Sequence, residues 1–201
     1  MNQKIINFIL NIDVSNISKS RKDSLNDIIK EIKKNIRQHK ASRLIFICTH
    51  NSRRSIFSEV WSQIFIKFYN LKNIYTFSGG TEVSKVYSGV ISILINNGFK
   101  VTNNKNQDNP TYSIYYGKQN FNIKVKSKLY SSSLNPTSNL IAIMNCSSAD
   151  KSCPFIPGSS ARIYLPFDDP KESDGSQIEV ENYRNTNLDI ASSMKYLFMN
   201  I

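Results

Sequence analysis

Residues 43–68 read RLIFICTHNSRRSIFSEVWSQIFIKF, and the interpretation of the whole chain depends on them. The first six form a short, nearly continuous apolar run, which is typical of a central strand covered on both faces. The run ends abruptly at Cys48, and the polar residues 49–54 come next. From Ser55 onward apolar residues recur at helical spacing. The stretch predicts a strand, a tight loop and a helix whose first amides point back at the end of the strand.

Strands and helices alternate over the rest of the chain. Strands are predicted at 74–78, where Gly79 and Gly80 break the run, at 140–144 and at 162–165, helices at about 21–39, 83–96 and 177–198, and a hairpin within 111–131. This alternation predicts an α/β fold with a four-stranded parallel sheet and helices on both faces. We also expect an N-terminal helical extension and a β-hairpin insertion.

The length of 201 residues fits one domain with an appendage. Residues 1–41 are interpreted as a partly ordered arm followed by an amphipathic helix, which begins near Ser20 and packs on the main domain. Residues 42–201 are expected to form the main domain. Ligands of parallel sheets bind beyond the carboxyl ends of the strands, where Cys48, Cys146 and Asp169 are all predicted to lie.

Charge and cysteine content exclude several classes of protein. The net charge is +11, but its basic residues are scattered over solvated faces, so we expect no nucleic-acid partner. No apolar run is long enough to span a bilayer, and no export signal is evident, so we expect a cytoplasmic protein without a membrane partner. Three cysteines are an odd number, which argues against a structural disulfide framework.

The loop after the first strand has the pattern C-x5-R-S. Its candidate oxyanion-binding residues are Thr49, His50, Asn51, Ser52, Arg53 and Arg54. Successive backbone amides of such a loop can surround a tetrahedral anion, and the helix after it adds its positive end. Arg54 can bind the anion with two parallel hydrogen bonds. Donors around Cys48, including the Ser55 hydroxyl, favour its thiolate, so Cys48 is a candidate nucleophile.

The segment 48–55 resembles the phosphate loop of low-molecular-weight protein tyrosine phosphatases, and still more that of the thioredoxin-coupled arsenate reductases with the same fold. Residues 75–82, 144–154 and 167–170 extend the resemblance, which covers roughly residues 42–200. The reductases carry a C-x6-C pair with a Ser-x-Ala-Asp core, which residues 146–153 match.

The resemblance implies reduction of arsenate to arsenite by a three-cysteine relay. Cys48 attacks arsenate with Asp169 as general acid, Cys146 then attacks Cys48 and releases arsenite, and Cys153 resolves the first disulfide. Thioredoxin is the implied reductant, and no cofactor is required. Asp168 is the less favoured acid, because the family places its acid directly before the proline.

Some of these reductases bind potassium near the loop, and Asn51, Glu59 and Ser78 match positions of that site. Two residues depart from the family pattern. His50 stands where glycine is usual, and Arg53 replaces a third loop cysteine, which would add a cation beside the anion.

Two other functions compete with arsenate reduction. Phosphate and arsenate are nearly isosteric, so the same loop would serve a phosphatase for phosphotyrosine or a small phosphomonoester. Against this, phosphatases of this fold favour aromatic residues after the Asp-Pro, where this chain has Lys171, Glu172 and Ser173. The third hypothesis is a non-catalytic basic anion-binding module, in which Cys48 would be dispensable.

Overall fold

A computed structural model describes residues 1–104, 107–117, 121–153 and 155–201. Its elements are α1 (Gln3–Asn11), α2 (Lys19–Arg37), β1 (Ser42–Cys48), α3 (Arg54–Phe68), β2 (Ile74–Gly80), α4 (Ser88–Asn96), β3 (Lys100–Asn103), β4 (Tyr112–Tyr115), β5 (Asn122–Val125), β6 (Leu140–Met144), α5 (Ser147–Ser152), β7 (Ser159–Tyr164) and α6 (Glu179–Met199), with a 3-10 helix at Pro170–Ser173. None of the helices in these ranges is long and apolar enough to cross a membrane.

The main sheet has four parallel strands in the order β2-β1-β6-β7, which confirms the predicted fold class. β1 and β6 are central and almost entirely buried, as their apolar runs predicted. Leu44 and Phe46 of β1 belong to the larger core, which also contains residues of α2, α3 and α6. Ile45 and Ile47 point to a smaller core that contains Cys48, Cys146 and Ala149 of α5.

β2 continues through Gly79 and Gly80, so the prediction that these glycines break the strand was wrong. A Cβ on Gly79 would lie 2.3 Å from the Cα of Tyr130, and one on Gly80 would lie 2.6 Å from the carbonyl oxygen of Thr49. Both glycines are therefore needed because other backbone segments approach them closely. These segments are the loop after β1 and residues 127–130.

The first residues form a helix rather than the predicted partly ordered arm. The side chain of Asn2 caps α1 by accepting a hydrogen bond from the amide of Ile5, 3.0 Å away. Ile5 and Ile9 are fully buried in the larger core. The next helix, α2, begins slightly earlier than predicted, because Ser18 rather than Ser20 is its N-cap.

The predicted hairpin is part of a separate three-stranded antiparallel sheet in the order β3-β4-β5. β4 and β5 form the hairpin, of which residues 118–120 lie outside the described part of the chain. β3 is mostly exposed and polar, so its sequence offered no alternating pattern.

We expect Ile28→Ala to lower the free energy of unfolding by about 2–5 kcal/mol, because it removes a fully buried side chain and leaves a cavity. Ile28 lies on the face of α2 that packs into the larger core. Urea unfolding measures the effect, with the exposed neighbour Asp27→Ala as control. Equal, small effects of the two substitutions would show that α2 is not part of the cooperative unit.

Candidate active site

Cys48 lies at the carboxyl end of β1, where only 3% of it is exposed. Its Sγ is 3.0 Å from the Ser55 hydroxyl in the first turn of α3. That hydroxyl already accepts a hydrogen bond from the Asn51 side-chain amide at 2.8 Å, so its own proton is free to point at Sγ. Donation to sulfur stabilises a negative charge there, as a nucleophilic cysteine requires.

Asn51 holds the middle of the loop. Its backbone is left-handed, with φ of 47°, a conformation that Asn tolerates better than most residues. The side chain is fully buried, and its carbonyl oxygen accepts a hydrogen bond from the amide of Lys128 at 3.0 Å. Ser127 donates to the carbonyl of His50 at 2.8 Å. Residues 127–130 therefore brace the loop, a role that their sequence did not signal.

The backbone of the loop explains why His50 is tolerated at its unusual position. The left-handed backbone angle falls on Asn51 and not on His50, so a side chain fits where the resemblance led us to expect glycine. The imidazole Nε2 lies 3.1 Å from a carboxylate oxygen of Glu82, and about a third of the His50 side chain is exposed. Nearby, Ser52 is buried and donates to the carbonyl of Lys85 at 2.6 Å. Thr49 is half-buried.

Arg54 connects the loop to the segment after β7. We call residues 166–174 the acid loop, because they carry the predicted general acid. Arg54 Nη2 forms an ion pair with Asp169, and Nη1 donates to the carbonyl of Phe167 at 3.3 Å. The buried Nε of Arg54 has no hydrogen-bond partner within the described residues. An anion in the loop would satisfy this buried donor.

Asp169 rather than Asp168 meets the loop. The Asp169 carboxylate accepts a hydrogen bond from the amide of Lys171 at 3.2 Å and caps the 3-10 helix. Its other oxygen faces Arg54. Both carboxylates are exposed, but Asp169 is the one that pairs with Arg54. The geometry agrees with the order of preference that the sequence suggested, although the role of an acid remains a prediction.

Arg53 was expected to add a cation beside the anion, but its charge is paired within the protein. Its guanidinium is paired with Asp174 and donates to the hydroxyl of Tyr183. It also lies 4.3 Å from the ring centroid of Tyr87. Burial opposes the charge of Arg53, but the bonds with Tyr183 and Asp174 outweigh burial and raise its pKa. The side chain therefore ties the far end of the acid loop to the anion loop.

Tyr183, which sequence reasoning missed, completes this cluster. It is fully buried, and its hydroxyl donates to Asp174 at 2.6 Å. Burial and this hydrogen bond raise the pKa of Tyr183, so the phenol keeps its proton. An aromatic residue on the buried face of α6 is typical of an ordinary core, and no local signal distinguished it.

Cys146 and Cys153 lie at opposite ends of α5. Cys146 is buried at the end of β6, and its Sγ is 3.5 Å from the hydroxyl of Thr49 in the anion loop. Cys153 is half-buried. The six residues of α5 span about 9 Å at 1.5 Å per residue, which exceeds the Cα separation of a disulfide. All three cysteines are free, and pairing of Cys146 with Cys153 requires α5 to unwind.

Glu59 and Ser78, two residues of the predicted potassium site, meet in the core. Ser78 donates to the buried Glu59 carboxylate at 2.5 Å. Asn51 instead directs its side chain to Ser55 and Lys128. Burial raises the pKa of Glu59, and the charge of Lys128 and the bond from Ser78 offset this only in part. Among the described residues no three His, Cys, Asp or Glu side chains form a metal cluster. The potassium site stays a prediction.

Solved structures share this fold. A low molecular weight protein tyrosine phosphatase from Bacillus subtilis has a TM-score of 0.55 at 14% identity, over 79% of this chain and 95% of its own. A low molecular weight phosphotyrosine phosphatase from Vibrio cholerae O395 has a TM-score of 0.53 at 15% identity, over 78% and 94%. Wzb from Vibrio vulnificus, solved with benzylphosphonate, has a TM-score of 0.52 at 10% identity, over 80% and 99%. No family model and no curated protein matches the sequence. The chain therefore has the fold of low-molecular-weight phosphatases.

We expect Glu59→Gln to gain stability over the wild type as pH rises. Folding raises the pKa of Glu59. Such a carboxyl makes its full contribution to the free energy of unfolding below the unfolded pKa of about 4.3, and loses that contribution as pH rises toward the pKa of the folded protein. The difference in unfolding free energy between Glu59→Gln and the wild type is measured between about pH 4 and pH 7. Choline chloride serves as the salt, so that potassium is absent.

The exposed Glu181→Gln is the matched control and should show no such trend. A pH-independent difference between Glu59→Gln and wild type would contradict the predicted shift. If potassium binds Glu59 and Ser78, potassium chloride in place of choline chloride should stabilise the wild type and so reduce the difference in unfolding free energy between it and Glu59→Gln.

Proposed function

We propose that this chain hydrolyses phosphomonoesters through a cysteinyl-phosphate intermediate. One observation carries the proposal: Cys48, the Ser55 hydroxyl, the Arg54 guanidinium and the Asp169 carboxyl converge beyond the carboxyl ends of β1 and β7. The likeness to phosphatase structures supports the same chemistry. The loop amides and Arg54 would hold the phosphoryl group, whose oxygens match the donors that the loop offers.

The two half-reactions use these positions in turn. The Cys48 thiolate attacks phosphorus, the bond to the leaving oxygen breaks, and Asp169 gives that oxygen a proton. Water then attacks the cysteinyl phosphate with Asp169 as base, which frees phosphate and restores the thiol site. A bound dianion competes with Asp169 for Arg54. This competition releases the carboxyl toward the leaving group.

We expect Cys48→Ser to abolish hydrolysis of para-nitrophenyl phosphate, because no other thiol lies in the loop. Asp169→Asn should lower kcat/KM for phenyl phosphate by roughly 10²–10⁴, the usual contribution of a general acid. Asp168→Asn is the matched control and should retain activity. Full activity of Cys48→Ser would contradict the cysteinyl-phosphate intermediate, whereas phosphate binding by a wild type that neither hydrolyses esters nor reduces arsenate would leave only the non-catalytic anion-binding module.

Reduction of arsenate is a second candidate, favoured by the position of Cys146. Its sulfur lies against Thr49 of the anion loop, 3.5 Å from the hydroxyl, and Cys153 lies at the other end of α5. In this reaction Cys48 forms a bond to arsenic with loss of water. Cys146 then attacks the Cys48 sulfur, and the electrons of the sulfur–arsenic bond reduce arsenic(V) to arsenite.

The relay ends in a disulfide on α5. Cys153 attacks Cys146, which frees Cys48 and leaves a Cys146–Cys153 disulfide. A dithiol partner such as thioredoxin would reduce it by exchange. Potassium near Glu59 and Ser78 would offset the buried carboxylate in either reaction, and neither reaction requires another cofactor.

We expect Cys146→Ser to stop multiple-turnover arsenate reduction with thioredoxin and its reductase while leaving hydrolysis of para-nitrophenyl phosphate intact. Thiol titration after arsenate treatment, without reductant, should show loss of two of the three thiols. Reduction that is unaffected by Cys146→Ser would contradict the relay. If the wild type hydrolyses para-nitrophenyl phosphate but does not reduce arsenate, only the phosphatase proposal remains.

A further inference from the structure

The acid loop is held not only by the anion loop but also by an arginine from the N-terminal helices. Arg21 lies in the first turn of α2, far in sequence from Asp169. The Ser18 side chain, which caps this turn, accepts a hydrogen bond from the Arg21 amide at 3.3 Å. The backbone at Arg21 is therefore set by the helix cap, and its side chain extends toward residues 166–167.

The guanidinium of Arg21 makes three contacts at once. It forms an ion pair with Asp189 of α6, donates from Nη2 to the carbonyl of Pro166 at 3.2 Å, and lies 4.8 Å from the ring centroid of Phe167. Only 22% of the Arg21 side chain is exposed. A planar fork can satisfy a carboxylate, a carbonyl and an aromatic face together, whereas the point charge of lysine cannot.

The contacts of Arg21 continue directly into the site. Phe167 is buried, with 4% exposed, so its ring cannot move without disturbing the core. Its amide donates to the carbonyl of Asn145 at 3.2 Å, and its carbonyl accepts from Arg54 at 3.3 Å. Asp169 lies two residues later and pairs with the same guanidinium of Arg54. Arg21 thus holds the entry of the acid loop while Arg54 holds its acid.

We propose that Arg21 is a positioning residue for the general acid, so that the N-terminal helices form part of the active enzyme. The proposal rests on the proposed phosphomonoester hydrolysis, in which Asp169 protonates the leaving oxygen. Arg21 does not touch the substrate. It fixes Pro166 and Phe167, and through them the reach of Asp169.

This role differs measurably from a merely structural one. Misplacement of an acid slows departure of a weakly acidic leaving group such as phenol, whose oxygen needs a proton as it leaves. It scarcely affects departure of the strongly acidic dinitrophenol, which leaves as an anion. General loss of folded protein slows both substrates equally. The ratio of kcat/KM for 2,4-dinitrophenyl phosphate to that for phenyl phosphate is therefore the informative readout.

In the full chain we expect Arg21→Ala to lower kcat/KM for phenyl phosphate about tenfold, and that for dinitrophenyl phosphate less than about twofold. Arg21→Lys should recover part of the loss, and Asp189→Asn, which frees the guanidinium, should act in the same direction as Arg21→Ala. Lys30→Ala removes an exposed cation from the same helix and should change neither value. If Arg21→Ala fails to fold, the ratio of the two kcat/KM values in Arg21→Lys and in Asp189→Asn tests the role of Arg21 instead.

A double variant gives the second test. In an Asp169→Asn background no acid remains to be positioned, so Arg21→Ala should have no further effect on phenyl phosphate. Equal losses with both esters, full additivity in the double variant, or no loss at all would overturn the role of Arg21. Failure of the proposed function is distinguishable, because then the wild type hydrolyses neither ester or Cys48→Ser remains active.

Discussion

The hydrogen bond from Asn51 to Ser55 is the interaction on which the site depends. It occupies one lone pair of the Ser55 oxygen and leaves the Ser55 proton free to point at Cys48. The other end of the Asn51 amide accepts from Lys128 and fixes the loop to residues 127–130. These residues approach β2 so closely that glycine is required at position 79. One buried amide thus links the hydrogen bonding of the sulfur, the shape of the anion loop and the packing of the neighbouring strand.

The arginines around the site act as connectors more than as a general attraction for anions. Arg54, Arg53 and Arg21 each pair with a carboxylate, and each contacts a different part of the acid loop or the helix behind it. A guanidinium that is already paired contributes little net field at a distance, so these three arginines with their carboxylates add nothing to the formal net charge of +11, which comes from the other basic residues. Only Arg54 combines a carboxylate that an anion can displace with a buried donor that has no partner within the described residues.

Local sequence patterns were sufficient to predict the central strands but not the contacts between distant segments. Continuous apolar runs predicted β1 and β6 nearly to the residue, because strands covered on both faces need no alternation. α1 was missed, although apolar residues recur at helical spacing after a capping Asn2, because the segment is only nine residues long. The direction of the Arg53 side chain could not be predicted, since it depends on Tyr183, which is distant in sequence. Arg21 likewise resembles any other cation on a solvated helix until its contacts with residues 166–167 are known.

The two candidate reactions make opposite demands on α5. Hydrolysis uses only the loop and the acid, so α5 can remain folded throughout the cycle. Reduction must bring Cys153 to Cys146, and therefore must break the bonds that Arg162 makes to the carbonyls of Asp150 and Cys153, at 2.6 and 3.1 Å. A helix of six residues has little stability of its own, so the hydrogen bonds from Arg162 contribute much of the stability of α5. Cys153 has a chemical role only in the reaction that unwinds this helix, and Arg162 is the residue whose contacts that reaction must give up.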